Sequence, residues 1–277
     1  MIKTQNRERG YWPLLIFFVI FILFLYGPMF AIFTLSFQGP DGGLTFPMNG
    51  VSLHWFADLF KTQRVGDFKT SFLRSITLAS LVMVITVVIS LLAGLAFRRG
   101  FKGDGVVFYM TIASLIVPSI LLTLGIGLSF DQLGLEAMWY TSGLGAHLSW
   151  TLPFGLLIMF AVFNRFNKSY EEAARDMGAT PFQVVKMVIV PIIAPSLVGV
   201  GLFGFTLSFD EFARSLLAMG VKNSLPLELF GMTTTVTTPT LYALGTLTTI
   251  VSFVVIGLSF LTMHLLQKRR LRKQKGI

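Results

Sequence analysis

Apolar residues in this chain come in long blocks instead of alternating with polar ones, and the blocks run approximately over 12–37, 72–97, 106–130, 144–163, 192–219 and 241–266. Each is close to or above the roughly 20 residues that cross the hydrocarbon core of a bilayer. The pattern predicts six transmembrane helices and an all-α membrane protein. The first block follows Lys3, Arg7 and Arg9. It is too long for a signal-peptide core and no small-residue cleavage site follows it, so it reads as a retained helix. Pro28, Pro118, Pro153 and Pro195 fall within or near the spans, where neighbouring helices must satisfy the carbonyls that proline frees.

Composition agrees with the pattern. Hydrophobic residues make up 54% of the chain, charged residues 13%, and mean hydropathy is +0.75, far from the roughly 25% charged residues of a soluble domain. The net charge of +9 does not mark a nucleic-acid binder, because the basic residues cluster at the ends of apolar blocks. Arg98, Arg99 and Lys102 form one cluster; Arg165, Lys168, Arg175 and Lys186 lie on one loop; Lys268, Arg269, Arg270, Arg272, Lys273 and Lys275 form a tail. Such clusters mark cytoplasmic loops. They place both termini in the cytoplasm and leave Lys61, Arg64, Lys69, Arg74 and Lys222 outside. The chain contains no cysteine, which excludes disulfides, thiolate metal sites and cysteine nucleophiles.

The inner connection over 164–191 carries two helix starts. Ser169 with Glu172, and Thr180 with Gln183, have capping-box spacing, and Pro181 occupies a first helical position. Gly178 sits where the first short helix must stop. Helix, tight turn, helix is the expectation, with Ala173 and Ala174 permitting close approach of another protein. A helix this short is not stable alone, so a partner is implied.

Glu172, Ala173 and Ala174, then Gly178, then Val188, Val190 and Pro191 resemble the EAA motif of ABC importer permeases, with Val standing for Ile and for Leu at two positions. The likeness extends from about residue 72 to 266. In its C-terminal part, Thr206-Leu-Ser-Phe-Asp-Glu-Phe212 and Leu225-Pro-Leu-Glu228 look like the second permease of spermidine/putrescine importers. The resemblance implies a type I importer fold: an N-terminal tail, first helix and outer loop over 1–71, a five-helix core over 72–266 with coupling loop 164–191, and a basic tail over 267–277. It implies Glu172, Ala173, Ala174, Gly178 and Pro191 as the residues that couple to cytoplasmic ATPase subunits. It also implies a second permease, expected to be a different chain, an extracytoplasmic substrate-binding protein, and a lipid environment in the bacterial inner membrane. Permeases for opines, phosphonates or amino-acid-like solutes are similar, so these substrates stay open beside a polyamine.

Asp210, Glu211 and Arg214 fall inside the fifth apolar block, about ten residues or roughly 15 Å from its outer end if the helix is straight. Charges at such depth are costly and should face protein or a watery cavity. Two readings stand: the acids line a pathway for cations, or Asp210 and Arg214, one turn apart, pair to hold helices together.

Other motifs lead nowhere. Gly199, Gly201 and Gly204 match the spacing of a dinucleotide loop but lie in an apolar helix with no preceding strand, which favours close helix packing. His54, His147 and His264 are scattered and are expected to be interfacial anchors. No Gly-Lys-Ser/Thr phosphate loop is present, so ATP and Mg are expected on a partner ATPase, with no cofactor on this chain and no catalytic or metal residues. A secondary transporter would usually carry inverted repeats, and a lipid-modifying enzyme a cluster of polar residues near an interface; neither is visible.

Overall fold

The computed structural model describes residues 5–61, 67–235 and 239–274. Lys3, Arg64 and Lys275, used above for orientation, lie outside the described residues. The chain forms two compact units: residues 1–66 with 232–251, and residues 67–231 with 252–277.

In the first unit, α1 (Gln5–Leu35) is apolar around its circumference from Gly10 onward, and its most apolar stretch is not buried in the chain, as expected of a helix solvated by lipid. It runs into an ordered turn built on Gln38. The Gln38 side chain donates to the carbonyls of Gly43 and Thr45 and accepts from the Asn49 amide at 2.7 Å. The short helix α2 (His54–Asp58) follows.

In the second unit, α3 (Phe68–Phe97), α6 (Leu144–Asn164) and α9 (Val190–Phe209) pack on one another. Asp67 starts α3: its carboxylate accepts from the Thr70 amide at 3.1 Å, and hydrogen bonding from Thr70 holds that carboxyl below the ordinary carboxylate range. The contact faces are lines of buried residues, most of them small, that recur chiefly every four positions. On α3, Ser71, Ser75, Ala79, Thr86, Ser90 and Gly94 are buried. On α6 the buried line includes His147, Thr151, Gly155, Met159 and Phe163. Lipid gives apolar side chains no reason to leave it, so close backbone approach and interhelical hydrogen bonds must hold such helices. Thr86 and Thr151 supply one such bond at 2.8 Å. A Cβ on Gly94 would meet the Phe163 ring at 2.7 Å, and Gly201 and Gly204 lie against Met83, Val87 and Thr86. The glycines at 201 and 204 therefore serve helix packing, as their apolar context predicts.

Among the described residues, five helices are long and apolar enough to cross a membrane: Gly10–Leu35, Phe68–Phe97, Trp139–Asn164, Pro181–Phe209 and Thr240–Thr262. The predicted third span over 106–130 is instead two shorter apolar helices, α4 (Asp104–Ala113) and α5 (Ser119–Gln132). Pro118 precedes α5 with ψ 130°; it has no amide to donate, and its ring excludes the preceding turn. The predicted fifth span over 192–219 ends early. Its helix stops at Phe209, and residues 210–224 form hydrogen-bonded turns before α10 (Leu225–Thr235). The last helix, α11 (Thr240–Gln274), begins in the first unit and continues in the second.

Candidate functional site

The inner loop folds as helix, turn, helix. α7 (Ser169–Asp176) ends in a Schellman motif. Ala179 donates to the Ala174 carbonyl at 3.0 Å, Gly178 donates to Arg175 at 2.8 Å, and Gly178 has φ +85°, the left-handed conformation glycine adopts freely. α8 (Pro181–Val184) starts with the predicted capping box: Thr180 Oγ1 accepts from the Gln183 amide, and Gln183 Oε1 accepts from the Thr180 amide. A π-helical turn, Val185–Ile189, then leads into α9 with Pro191 in its first turn. The wider turn frees the carbonyls that a proline ring would otherwise strike.

Three details differ from expectation. Ser169 does not cap α7; its amide donates to Asn167 Oδ1 at 3.0 Å, and Glu172 is exposed with no capping role. Ala174 does not face outward but is buried against Phe163, Val184 and Ile189, leaving Ala173 exposed. The acid that joins α7 to the helices is Glu171, ion-paired with Arg98. Tyr170, Met177, Phe182 and Met187 remain exposed on the loop.

The second cluster occupies the turns after α9. Asp210 caps the helix end and is exposed. Arg214 does not pair with Asp210. It pairs with Glu211, Nη1 to Oε2 at 3.6 Å, and its amide donates to Glu211 Oε1 at 2.9 Å. The Arg214 side chain is 2% exposed and Glu211 12%, and the guanidinium carbon lies 4.2 Å from the centroid of the Trp150 ring. These three residues therefore sit at a helix end and not mid-helix. The irregular backbone around them is held by protein, the condition under which non-helical chain is tolerated beside lipid.

His147 holds this segment, and it is not an interfacial anchor. It is fully buried, with Nδ1 at 2.8 Å from Ser208 Oγ and Nε2 at 3.0 Å from Ser215 Oγ. Ser215 donates its hydroxyl proton to the Glu211 carbonyl at 2.6 Å. Nε2 is then the donor toward Ser215. One imidazole thus joins the end of α9 to the turn that follows it. Farther along, Ser142 donates to the Ala218 carbonyl at 2.7 Å, Ser75 Oγ accepts from the Leu225 amide at 2.7 Å, and Arg74 donates to the Asn223 carbonyl. Gly220, at φ +66°, lies against the Ala137 carbonyl with no room for a Cβ.

Sequence reading missed His147, Trp150, Ser208 and Ser215. The available signal was spacing: His147, Thr151 and Gly155 are four apart in an otherwise apolar helix, a polar and small stripe that lipid would not accept on its own face.

A family model described as binding-protein-dependent transport system inner membrane component matches residues 86–273. The spermidine/putrescine transport system permease protein PotC of Haemophilus influenzae is 28% identical over 245 residues, covering 88% of this chain and 93% of that protein. The putrescine transport system permease protein PotI of Escherichia coli is 25% identical over 277 aligned positions, covering 95% of each. Among solved structures, a bacterial ABC transporter that imports alginate gives a TM-score of 0.65 at 17% identity over 98% of both chains. The inward-facing MetNI methionine ABC transporter gives 0.57 at 18% identity, over 72% of this chain and 95% of that one. These two show the fold.

Proposed function

The chain belongs to the family of binding-protein-dependent transport system inner membrane components, and from that premise we propose that it forms half of an import pathway for a polyamine such as spermidine or putrescine. The relatives named above, which cover most of the chain, carry those substrates in their names. The observation that carries the reading here is Asp210. It is an exposed carboxylate beside a Glu211 already neutralised by Arg214, so Asp210 is the acid left to meet a cation. Charge in a partly desolvated site acts on an ammonium group far more strongly than it would in water.

The same proposal assigns α7 and α8, with Glu172, Ala173, Gly178 and the exposed Tyr170, Met177 and Phe182, as the surface that meets a cytoplasmic ATPase. Exposed apolar residues of this size on a short helix call for a cover. ATP and Mg belong to that partner. A second, different permease completes the pathway and an extracytoplasmic protein delivers the solute. Both termini lie in the cytoplasm, on the asymmetry of Lys and Arg. The first helix and outer loop, 1–71, are an addition to a core of 72–266, with a basic tail over 267–277.

Uptake of labelled spermidine by cells carrying the complete importer tests this reading. Asp210→Asn should lower uptake about tenfold, the equivalent of ~1.4 kcal/mol in transition-state binding, at unchanged expression. Spermidine uptake unaffected by Asp210→Asn would remove Asp210 from the pathway. Absence of spermidine and putrescine uptake by the wild type, with uptake of an amino-acid-like or phosphonate solute, would replace the substrate.

A further inference from the structure

α7 is fastened to the helices of its unit at two points. One is Ala174, buried in the apolar cluster that also holds Met159 and Phe163 of α6. The other is Arg98, the residue that ends α3. Its guanidinium is ion-paired with Glu171, and its carbon lies 5.2 Å from the ring centroids of both Phe163 and Phe166. The side chains of Arg98 and Glu171 are 11% and 12% exposed, so water and salt screen this pair much less than a surface pair. A planar guanidinium can accept a carboxylate at its edge while aromatic rings pack on its faces, which an ammonium cannot do. Arg98 thus joins three elements: its own helix, the end of α6, and α7.

The other end of α3 is fastened as well. Arg74 donates to the Asn223 carbonyl, and Ser75 accepts from the Leu225 amide, at the end of the turns that begin with Asp210. Arg74 and Arg98 are separated by about 36 Å at ~1.5 Å per helical residue. The helix between them carries no proline and packs along its small-residue stripe, so it can transmit force without bending.

We propose that Arg98 is a positioning residue for coupling: it binds α7 to α3, so that displacement of α7 by an ATPase moves α3 as a rod and shifts the 210–224 turns at its far end. This rests on the reading that α7 meets an ATPase. The plainer role for Arg98, a cation near the negative end of a helix, needs neither Glu171 nor the two aromatic rings. It would be filled equally well by lysine.

The test uses the complete complex in proteoliposomes, with spermidine as probe, and reads solute taken up per ATP hydrolysed. Arg98→Gln, Arg98→Lys and Glu171→Gln should each keep the ATPase subunit bound and hydrolysis within about twofold of wild type, while uptake per ATP falls at least fivefold. The reversed pair, Arg98→Glu with Glu171→Arg, restores the charge pairing without the aromatic seat and should regain part, not all, of what Arg98→Gln loses. Unchanged uptake per ATP in Arg98→Lys would return Arg98 to the plainer role. Loss of the ATPase from Glu171→Gln alone would make Glu171 a direct contact of that subunit. A second arm needs no solute: the chain has no cysteine of its own, so Arg98→Cys with Glu171→Cys, in a complex otherwise free of cysteine, can be bridged by a reducible bifunctional reagent. The bridged complex should hydrolyse ATP within about twofold of the unbridged one and recover stimulation by the binding protein. Hydrolysis that stops on bridging and returns on reduction would show that α7 must move against α3, and would overturn the proposal. If the wild type takes up no spermidine, the substrate assignment fails alone and the second arm still decides.

Discussion

The guanidinium of Arg214 lies over the ring of Trp150, 4.2 Å from its centroid, while Nη1 faces Glu211 at 3.6 Å. A buried cation is thus offered a carboxylate and an aromatic face, both within its own unit. This makes Glu211 a structural partner and separates its role from that of its neighbour Asp210.

Removing one member of a buried ion pair strands the other, which costs about 3 kcal/mol. Arg214→Gln should therefore lower the stability of the detergent-solubilised complex by that order, and Glu211→Gln somewhat less. The double substitution should recover part of the loss. Thermal unfolding of the four proteins is the measurement, and strict additivity would mean that the pair contributes nothing. Asp210→Asn belongs to the same set as a control and should leave stability unchanged.

His147→Phe keeps an aromatic ring at the site but leaves the hydroxyls of Ser208 and Ser215 without the imidazole, at a cost of about 2 kcal/mol. Ser208→Ala removes one bond and should cost about 1 kcal/mol. Equal stability of His147→Phe and wild type would show that the turns after α9 are held by their own hydrogen bonds.

Gly155 lies against Ser90, with no room for a Cβ, and Thr86 Cγ2 would stand 3.0 Å from it. Gly155→Ala should cost about 2 kcal/mol by forcing α3 and α6 apart. Combining it with Ser90→Gly restores the space and should return most of that loss. Failure of the second change to help would place the strain elsewhere in the helix pair.

The two candidate caps of the inner loop make a paired comparison. Thr180→Ala breaks an observed capping box and should cost about 1 kcal/mol. Ser169→Ala should stay within about 0.5 kcal/mol of wild type, because Asn167 takes the amide instead. Hydrogen exchange of the α7 and α8 amides in the intact complex reads each effect locally.

What the sequence determined by itself is local in origin. Blocks of apolar residues mark the segments that lipid can solvate, though not where a helix breaks inside a block, as it does after Ala113 and Phe209. Thr180 and Gln183 are three residues apart and satisfy each other's backbone amides; Gly178 takes its positive φ to close a turn of its own helix. Tertiary structure decided whatever depends on a partner distant along the chain. His147 reads as an anchor until Ser208 and Ser215, more than sixty residues later, arrive at its two nitrogens. Spacing alone makes Asp210 and Glu211 equally good partners for Arg214, four and three residues away; the end of α9 at Phe209 and the seat on Trp150 give the pairing to Glu211. Likewise Glu171 and Glu172 are adjacent acids, and only the arrival of Arg98 from α3 assigns one to the fold and leaves the other exposed. A charge in a poorly solvated place takes whichever counter-charge the packing brings within reach, and neighbours in sequence do not say which that will be.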